Sequence, residues 1–500
     1  MISAARALVG QREALLVSVV LSLGVLPRLV KISQPFVDKW SWRQTDVAMI
    51  AENFYLHGFN IFYPQINWAG NVPGYVGTEF PLVPFLASLL YLLFGVQEWV
   101  GRSVSVLFFA ASVPPFYLLV KKVADERSAV FAAIMYCLAP LGLVAGRSFM
   151  PDMASLSLSI MALYLFVEWI DRGNDGGLFA AAVVATSLAI LVKLPGVIVG
   201  LPLLYIAWEA YGARLVQKRE IWAFAALSLV APLAWYVHAY LIRTAHVPHH
   251  FFGEGGIEIL SLGSYVSILC TTVTSSLTPV IAAGMVVGLF LPARRRHGLV
   301  FHWWLVAIIV FMVIAGRGSL HQWYQLPFVP VAAAFAGPAC EFGFRKLAKA
   351  SGSVVGVGAC SVVFGVLSCF SYIYAVPFYL SWGIPSWRAG TELSRMAPPG
   401  ALVIVADNGD PTALYYSRRK GWHFLDRNGV WWGPPANSRQ AIRNLEKLRE
   451  EGATYLVFTQ YTEWWLDYYA EFREHLDSAY RRARQTSDYV IFELSATGAE

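Results

Sequence analysis

A polytopic α-helical membrane protein of about eleven spans, closed by a small extracytoplasmic α/β domain, is the fold class that three observations predict. Hydrophobic residues make up 57% of the 500-residue chain and charged residues only 14%, with a mean hydropathy of +0.52, far from the composition of a soluble protein. Apolar runs long enough to cross a bilayer recur through the first three quarters. Charge is then concentrated at the end, where 29 of the 70 charged residues follow Trp382. Residues 1–381 therefore read as a membrane body and residues 382–500 as a domain in water. The net charge of +6 is no argument for nucleic acid, because basic residues beside spans are what membrane insertion requires. Cys137, Cys270, Cys340, Cys360 and Cys369 all lie in apolar segments without CxxC spacing, which suggests neither a disulfide framework nor a zinc site.

The elements follow in order. Arg6 and Arg12 precede an apolar run at 14–30 that lacks a small-x-small cleavage site, so it reads as a first span with a cytoplasmic N-terminus. A long outer loop, 31–102, comes next. Within it Val47, Ile50, Ala51 and Phe54 have the spacing of a juxtamembrane amphipathic helix over 45–56. The apolar stretch 81–95 is read as lying on the outer surface, since Pro81 and Pro84 interrupt it and counting it as a span would place every later basic loop outside. Further spans are expected at 103–120, 129–146, 153–170, 177–193, 196–212, 221–242, 263–291, 299–316, 324–340 and 353–378. Lys121, Lys122, Arg127, Arg172, Arg214, Lys218, Arg219, Arg294–Arg296, Arg345, Lys346 and Lys349 then all fall on the cytoplasmic side. In the tail, 401–406, 453–459 and 489–494 read as strands, and 437–451 and 461–476 as helices. No internal repeat marks the duplicated halves of a transporter.

Sorted by side, the ionisable residues that do not set topology collect at the outer face. The first loop holds Asp38, Lys39, Arg43, Asp46 and Glu79. The second, Gly146-Arg-Ser-Phe-Met-Pro-Asp152, brings Arg147 and Asp152; Lys193 stands at a Pro-broken hairpin top, and Arg317, His321 and Tyr324 share a late outer turn. Each has a plainer reading. Lys193 and Arg147 suit snorkelling toward headgroups, and Asp152 after Pro151 suits a helix N-terminus. His246, His249 and His250 near Glu254 suit a solvated loop better than a metal site.

The order Asp38-Lys-Trp-Ser-Trp-Arg-Gln-Thr-Asp46, then Ile50-Ala-Glu-Asn-Phe54, then Glu79-Phe-Pro-Leu82 resembles the GT-C superfamily of polyprenyl-phosphate-dependent glycosyltransferases, in the branch of protein O-mannosyltransferases and lipid A aminoarabinose transferases. Ala48-Met-Ile-Ala51 fits that branch's juxtamembrane helix, whereas Arg43 and Gln44 occupy its Asp-Glu positions and Glu79 stands where relatives carry Lys. The His-x-x-Tyr-x-x-Pro run at His321, Tyr324 and Pro327 agrees with it as well.

The resemblance implies inverting sugar transfer from a polyprenyl-phosphate donor to a lipid, glycan or protein acceptor, at the outer face of the inner membrane. A carboxylate is needed to take the acceptor's proton, with Asp46 first and Asp38 second. Cations must stabilise the leaving phosphate, for which Lys193, Arg147, Arg317 and His321 are suited. Asp152 is suited to orienting an Arg, binding a metal with Glu79, or holding the acceptor. Glu79 and Tyr324 are suited to acceptor or metal. No cofactor is demanded, and a divalent ion is compatible with the site without being required. Two other functions share these features: a lipid or glycan transporter, whose charges should lie inside its spans, and a non-catalytic envelope assembly protein whose Trp422, Trp431, Trp432, Trp464 and Trp465 stack on sugars.

Overall fold

The computed structural model describes residues 2–173, 175–243, 258–293, 295–427 and 430–494. The His246, His249, His250 and Glu254 cluster lies outside the described residues. The chain divides into two compact units. One comprises the residues up to Ile32, then Arg102–Tyr236, then the later helices as far as Pro377; the other comprises Ser33–Gly101, a short run starting at Val237, and the chain from Phe378 onward.

The first unit is a helical bundle. Six described helices of the chain, or seven if the pair Leu262–Leu277 and Pro279–Leu289 forms one span bent by 107°, are long and apolar enough to cross a membrane. Eleven spans are expected from the sequence, and three of the expected segments fall short of this length for reasons visible in the residues. The run at 129–146 is two helices, Glu126–Leu138 and Pro140–Ala145, broken where Pro140 removes a backbone donor. Gly176–Val192 and Val300–Ile314 are apolar but only 17 and 15 residues long. Close helix approach depends on small residues: a Cβ at Gly284 would lie 2.8 Å from Ala336 Cβ, and one at Gly288 only 1.9 Å from the Phe335 carbonyl oxygen. These two glycines, one helical turn apart, let the helix Pro279–Leu289 lie directly on Phe328–Ser351.

In the second unit the helix expected over 45–56 is Ser41–His57, with Val47, Ile50, Ala51 and Phe54 buried as their spacing predicts. Leu82–Phe94 packs beside it and has 13 residues, about 20 Å, too short to cross a hydrocarbon core of about 30 Å. The tail forms a five-stranded sheet in the order Lys420–His423, Leu402–Ala406, Ala453–Thr459, Tyr489–Glu493, Arg481–Gln485. The first three strands are parallel and the last two antiparallel. Ile404, Phe424, Leu456, Phe458, Trp465, Phe472 and Phe492 fill its core.

The three expected strands and the helix Ser438–Glu450 are present, while 461–476 holds two shorter helices, Trp464–Tyr468 and the start of Ala470–Ala479. The boundary at 381/382 marks a change of composition; packing instead joins the outer loop to the tail. Gly70 N–H donates to the Gly421 carbonyl at 2.8 Å and Gly421 N–H to that of Asn67 at 2.9 Å, so the loop continues the sheet beyond its edge strand. Gly70 has φ +69°, and a Cβ there would meet the Trp422 indole at 2.5 Å.

Candidate active site

In the second unit, two segments distant in sequence meet around Asp46. Helix Ser41–His57 carries Arg43, Gln44 and Asp46 within its first two turns. The sheet supplies the remainder from the carboxyl ends of parallel strands, where α/β sheets commonly bind ligands: Asp407 and Asp410 follow Leu402–Ala406, and His423 ends Lys420–His423. Thr45 Oγ1 lies 3.4 Å from Thr412 Oγ1, linking helix to sheet. Trp68 covers His423, with ring centroids 5.0 Å apart.

Arg43 and His423, the cations that act on Asp46 among the described residues, are paired with other carboxylates. Arg43 forms an ion pair with Glu79, whose other oxygen accepts from Thr78 Oγ1 at 2.5 Å. His423 Nδ1 lies 2.9 and 3.0 Å from the two oxygens of Asp407, both side chains buried. Asp46 is half-buried as a residue, yet its Oδ1 is enclosed without a hydrogen-bond partner. Burial pushes its carboxyl up to about 7, opposed by Arg43 and His423 and reinforced by Asp410 and Glu79. Burial likewise pushes Asp410 up to about 6, against hydrogen bonds from the side chain and backbone of Thr412. His423 is drawn down by burial but up, on balance, by Asp407, Asp46 and Asp410. The site thus gathers three carboxyls of raised proton affinity around one imidazole.

Asp38 has a different place. It accepts from Gln44 Nε2 at 2.6 Å and from the Trp40 backbone at 3.2 Å, which fixes the start of the helix. Arg43 and Glu79, two of the three departures noted in the sequence, meet as one ion pair.

The first unit holds a separate cavity, lined among others by Asp152, Ser155, Lys193, Gly196, Trp323 and Tyr324. Its geometry follows from a helix end. Pro195 stops helix Gly176–Val192, whose Ala189 carbonyl still accepts from the Lys193 N–H at 3.4 Å while the later carbonyls lie beyond the last helical donor. Side chains complete this end: Ser155 Oγ also donates to Ala189 O at 2.8 Å, and Tyr236 Oη lies 3.1 Å from Ile190 O and 3.3 Å from Leu191 O. A Cβ on Gly196 would lie 2.4 Å from Ala189 O, so glycine is what allows the chain to turn back there. Lys193 then points inward. It forms an ion pair with Asp152 and stands 4.8 Å from the Tyr324 ring centroid. The side chain of Asp152 does not cap helix Pro151–Arg172, whose N-cap is Met150, and its Oδ2 is buried without a hydrogen-bond partner.

The other cations expected at this face are placed outside that lining. Arg147 is 2% exposed and donates to Lys31 O at 2.8 Å, so it is buried rather than snorkelling. Arg317 pairs with Glu258 at 3.1 Å and is largely exposed. His321 stacks on Trp323, itself a lining residue, with ring centroids 4.5 Å apart. Among the described residues no group of three or more His, Cys, Asp or Glu side chains is disposed to hold a metal ion. Sequence reading missed His423, Asp407 and Asp410. An Asp-Asn-Gly-Asp turn directly after the expected strand 401–406 was the available signal.

Residues 77–237 match the family model described as dolichyl-phosphate-mannose-protein mannosyltransferase. An uncharacterized protein of Aquifex aeolicus is 31% identical over 132 residues, 26% of this chain and 29% of its own length. The chain thus matches less than a third of that relative. Among solved structures, ArnT from Cupriavidus metallidurans bound to undecaprenyl phosphate has a TM-score of 0.64 at 16% identity, covering 98% of this chain and 99% of that one. The Archaeoglobus fulgidus oligosaccharyltransferase, in complex with zinc and sulfate, has a TM-score of 0.62 at 14% identity, covering 93% and 71%. The same archaeal enzyme, with an inhibitory peptide and a dolichol-phosphate, gives 0.58 at 14% identity, covering 95% and 74%. Residues 77–237 thus resemble the mannosyltransferase family, and the chain as a whole shares its fold with ArnT and the archaeal oligosaccharyltransferase.

Proposed function

We propose that the chain is an inverting glycosyltransferase that moves a sugar from a polyprenyl-phosphate donor to a hydroxyl of an envelope lipid, glycan or protein. The observation that carries this reading is Asp46, a carboxylate with an enclosed, unpartnered oxygen and a proton affinity poised near neutral pH. Such a group is suited to general base catalysis, worth about 10²–10⁴-fold. The acceptor oxygen loses its proton to Asp46 and bonds to the anomeric carbon from the face opposite the phosphate. The carbon–oxygen bond to phosphate breaks, and the polyprenyl phosphate leaves with the negative charge. Lys193, held by Asp152, is the cation assigned to that phosphate. Asp38 is assigned to holding the helix that carries Asp46. Glu79 keeps Arg43 from pairing with the base, and Tyr324 flanks the lysine.

The polyprenyl-phosphate donor is supported by ArnT, described with undecaprenyl phosphate, and by the archaeal oligosaccharyltransferase, described with a dolichol-phosphate. The placement of basic loops supports a cytoplasmic N-terminus and an extracytoplasmic C-terminal domain, and we place the chain in the inner membrane by its likeness to such transferases. The test is transfer of radiolabelled sugar from polyprenyl phosphate by the purified chain in lipid nanodiscs. The acceptor would come from mass spectrometry of envelope glycans, lipid A and glycoproteins in a deletion strain. Transfer to one of these is expected. Failure on all of them, with a lipid-linked sugar crossing vesicles that contain the protein, would make it a transporter instead.

A further inference from the structure

The aromatic residues of the tail divide sharply. Trp465 is fully buried in the module core and Trp422 is 6% exposed. Trp464, one residue away from Trp465, is 46% exposed, and Tyr468, one turn further along the same short helix, is 73% exposed. Their rings lie 5.8 Å apart. Tyr461, also 46% exposed, donates its hydroxyl to the Trp382 carbonyl at 2.5 Å. Trp382 is 56% exposed and Leu380 54%, and both directly follow the segment that leaves the last apolar helix, Ser353–Ala375.

We propose that Trp382, Tyr461, Trp464 and Tyr468 form an aromatic band that seats the C-terminal module on the lipid headgroup layer. Trp and Tyr are the side chains that favour this layer, because each has an apolar ring for the acyl boundary and a polar atom for the wet side. Continuity selects lipid as the occupant. The band begins at the residues by which the chain leaves its last apolar helix, and the Tyr461 hydroxyl ties the rest of the band to that exit. The inference requires only that the chain spans a membrane, and stands apart from the assignment of Asp46 and Lys193.

The test uses the full chain in nanodiscs of phosphatidylcholine and phosphatidylglycerol, with the five native cysteines replaced by alanine. Tyr468→Cys and, separately, Glu450→Cys carry a bimane label. Glu450 precedes the seven-residue strand Ala453–Thr459, so it lies at the opposite end of a strand about 20 Å long from Tyr461. Lipids with a doxyl group near the headgroup should quench position 468 several-fold more than position 450, and aqueous iodide should show the reverse order. Trp464→Cys supplies a second reporter in the same band. Equal lipid quenching at both ends, or stronger iodide quenching at 468 and 464, would overturn the proposal. Lipid-insensitive labels protected from iodide by a soluble oligosaccharide would also overturn it, by making the band a glycan platform.

Discussion

Asp46 and Asp152 are both largely enclosed acids, each with one oxygen lacking a hydrogen-bond partner, but their surroundings differ in one respect. Asp152 has its own cation, Lys193, in direct contact. Asp46 has cations near it that are already committed, Arg43 to Glu79 and His423 to Asp407. The ion pair with Asp152 positions Lys193. Burial gives Asp46 a high proton affinity that Arg43 and His423 only partly offset, so it can exchange a proton near neutral pH. Asp46 has the proton affinity that a base working near neutral pH needs.

The largest stability effect is expected where the contrast is broken in the first unit. Lys193→Ala leaves Asp152 buried and uncompensated, a loss of about 3–5 kcal/mol, together with weakened donor binding. Lys193→Met combined with Asp152→Asn removes both charges and should recover most of the stability without recovering donor affinity. Thermal unfolding in detergent and binding of polyprenyl phosphate read the two effects separately. Recovery of donor affinity in the double variant would count against a phosphate role for Lys193.

Asp46→Asn should act in the opposite direction. A folded-state pKa raised from 3.8 to about 7 means that the native state holds the proton more tightly than the unfolded chain. Stability from this group is full below pH 3.8 and is lost as pH rises toward 7, so an enclosed charge is being tolerated at pH 8. The amide removes that cost, and the apparent stability at pH 8 should rise by about 1 kcal/mol or more. Destabilisation on the same measurement would mean that Asp46 is held in place by its charge.

How far these centres could be read from sequence follows from the distance over which each is assembled. Lys193 and Asp152 were legible because Pro195 and Pro151 announce the helix breaks that carry them. Asp46 was legible from the residues around it in the first loop. Its partners were not: Thr45 meets Thr412 across 367 residues, and His423 ends a four-residue strand with too little alternation to be read as one. The edge strand Arg481–Gln485 was missed for a related reason, since its residues are mostly polar and exposed. Arg147 misled because a buried arginine on a backbone carbonyl has the same sequence context as a snorkelling one.

Two smaller effects sharpen the comparison. Tyr236→Phe removes the hydroxyl that serves Ile190 and Leu191 at the broken helix end, at a cost of about 1 kcal/mol. It should reduce Lys193-dependent donor binding without altering the pH dependence of turnover. Arg43→Gln removes a positive neighbour of Asp46, so the proton affinity of the base should rise further. The acid limb of the rate profile then moves to higher pH by about one unit. An unchanged limb would detach Arg43 from the titrating group.

The most direct test is kcat/KM for sugar transfer from a polyprenyl-phosphate donor, measured between pH 5 and 9 for the native chain and for Asp46→Asn. The native chain should lose activity about tenfold per pH unit below about 7, and the variant should be reduced by about 10²–10⁴-fold with that limb absent. Native-like turnover in Asp46→Asn, with the same acid limb, would contradict the assignment of Asp46 as the base.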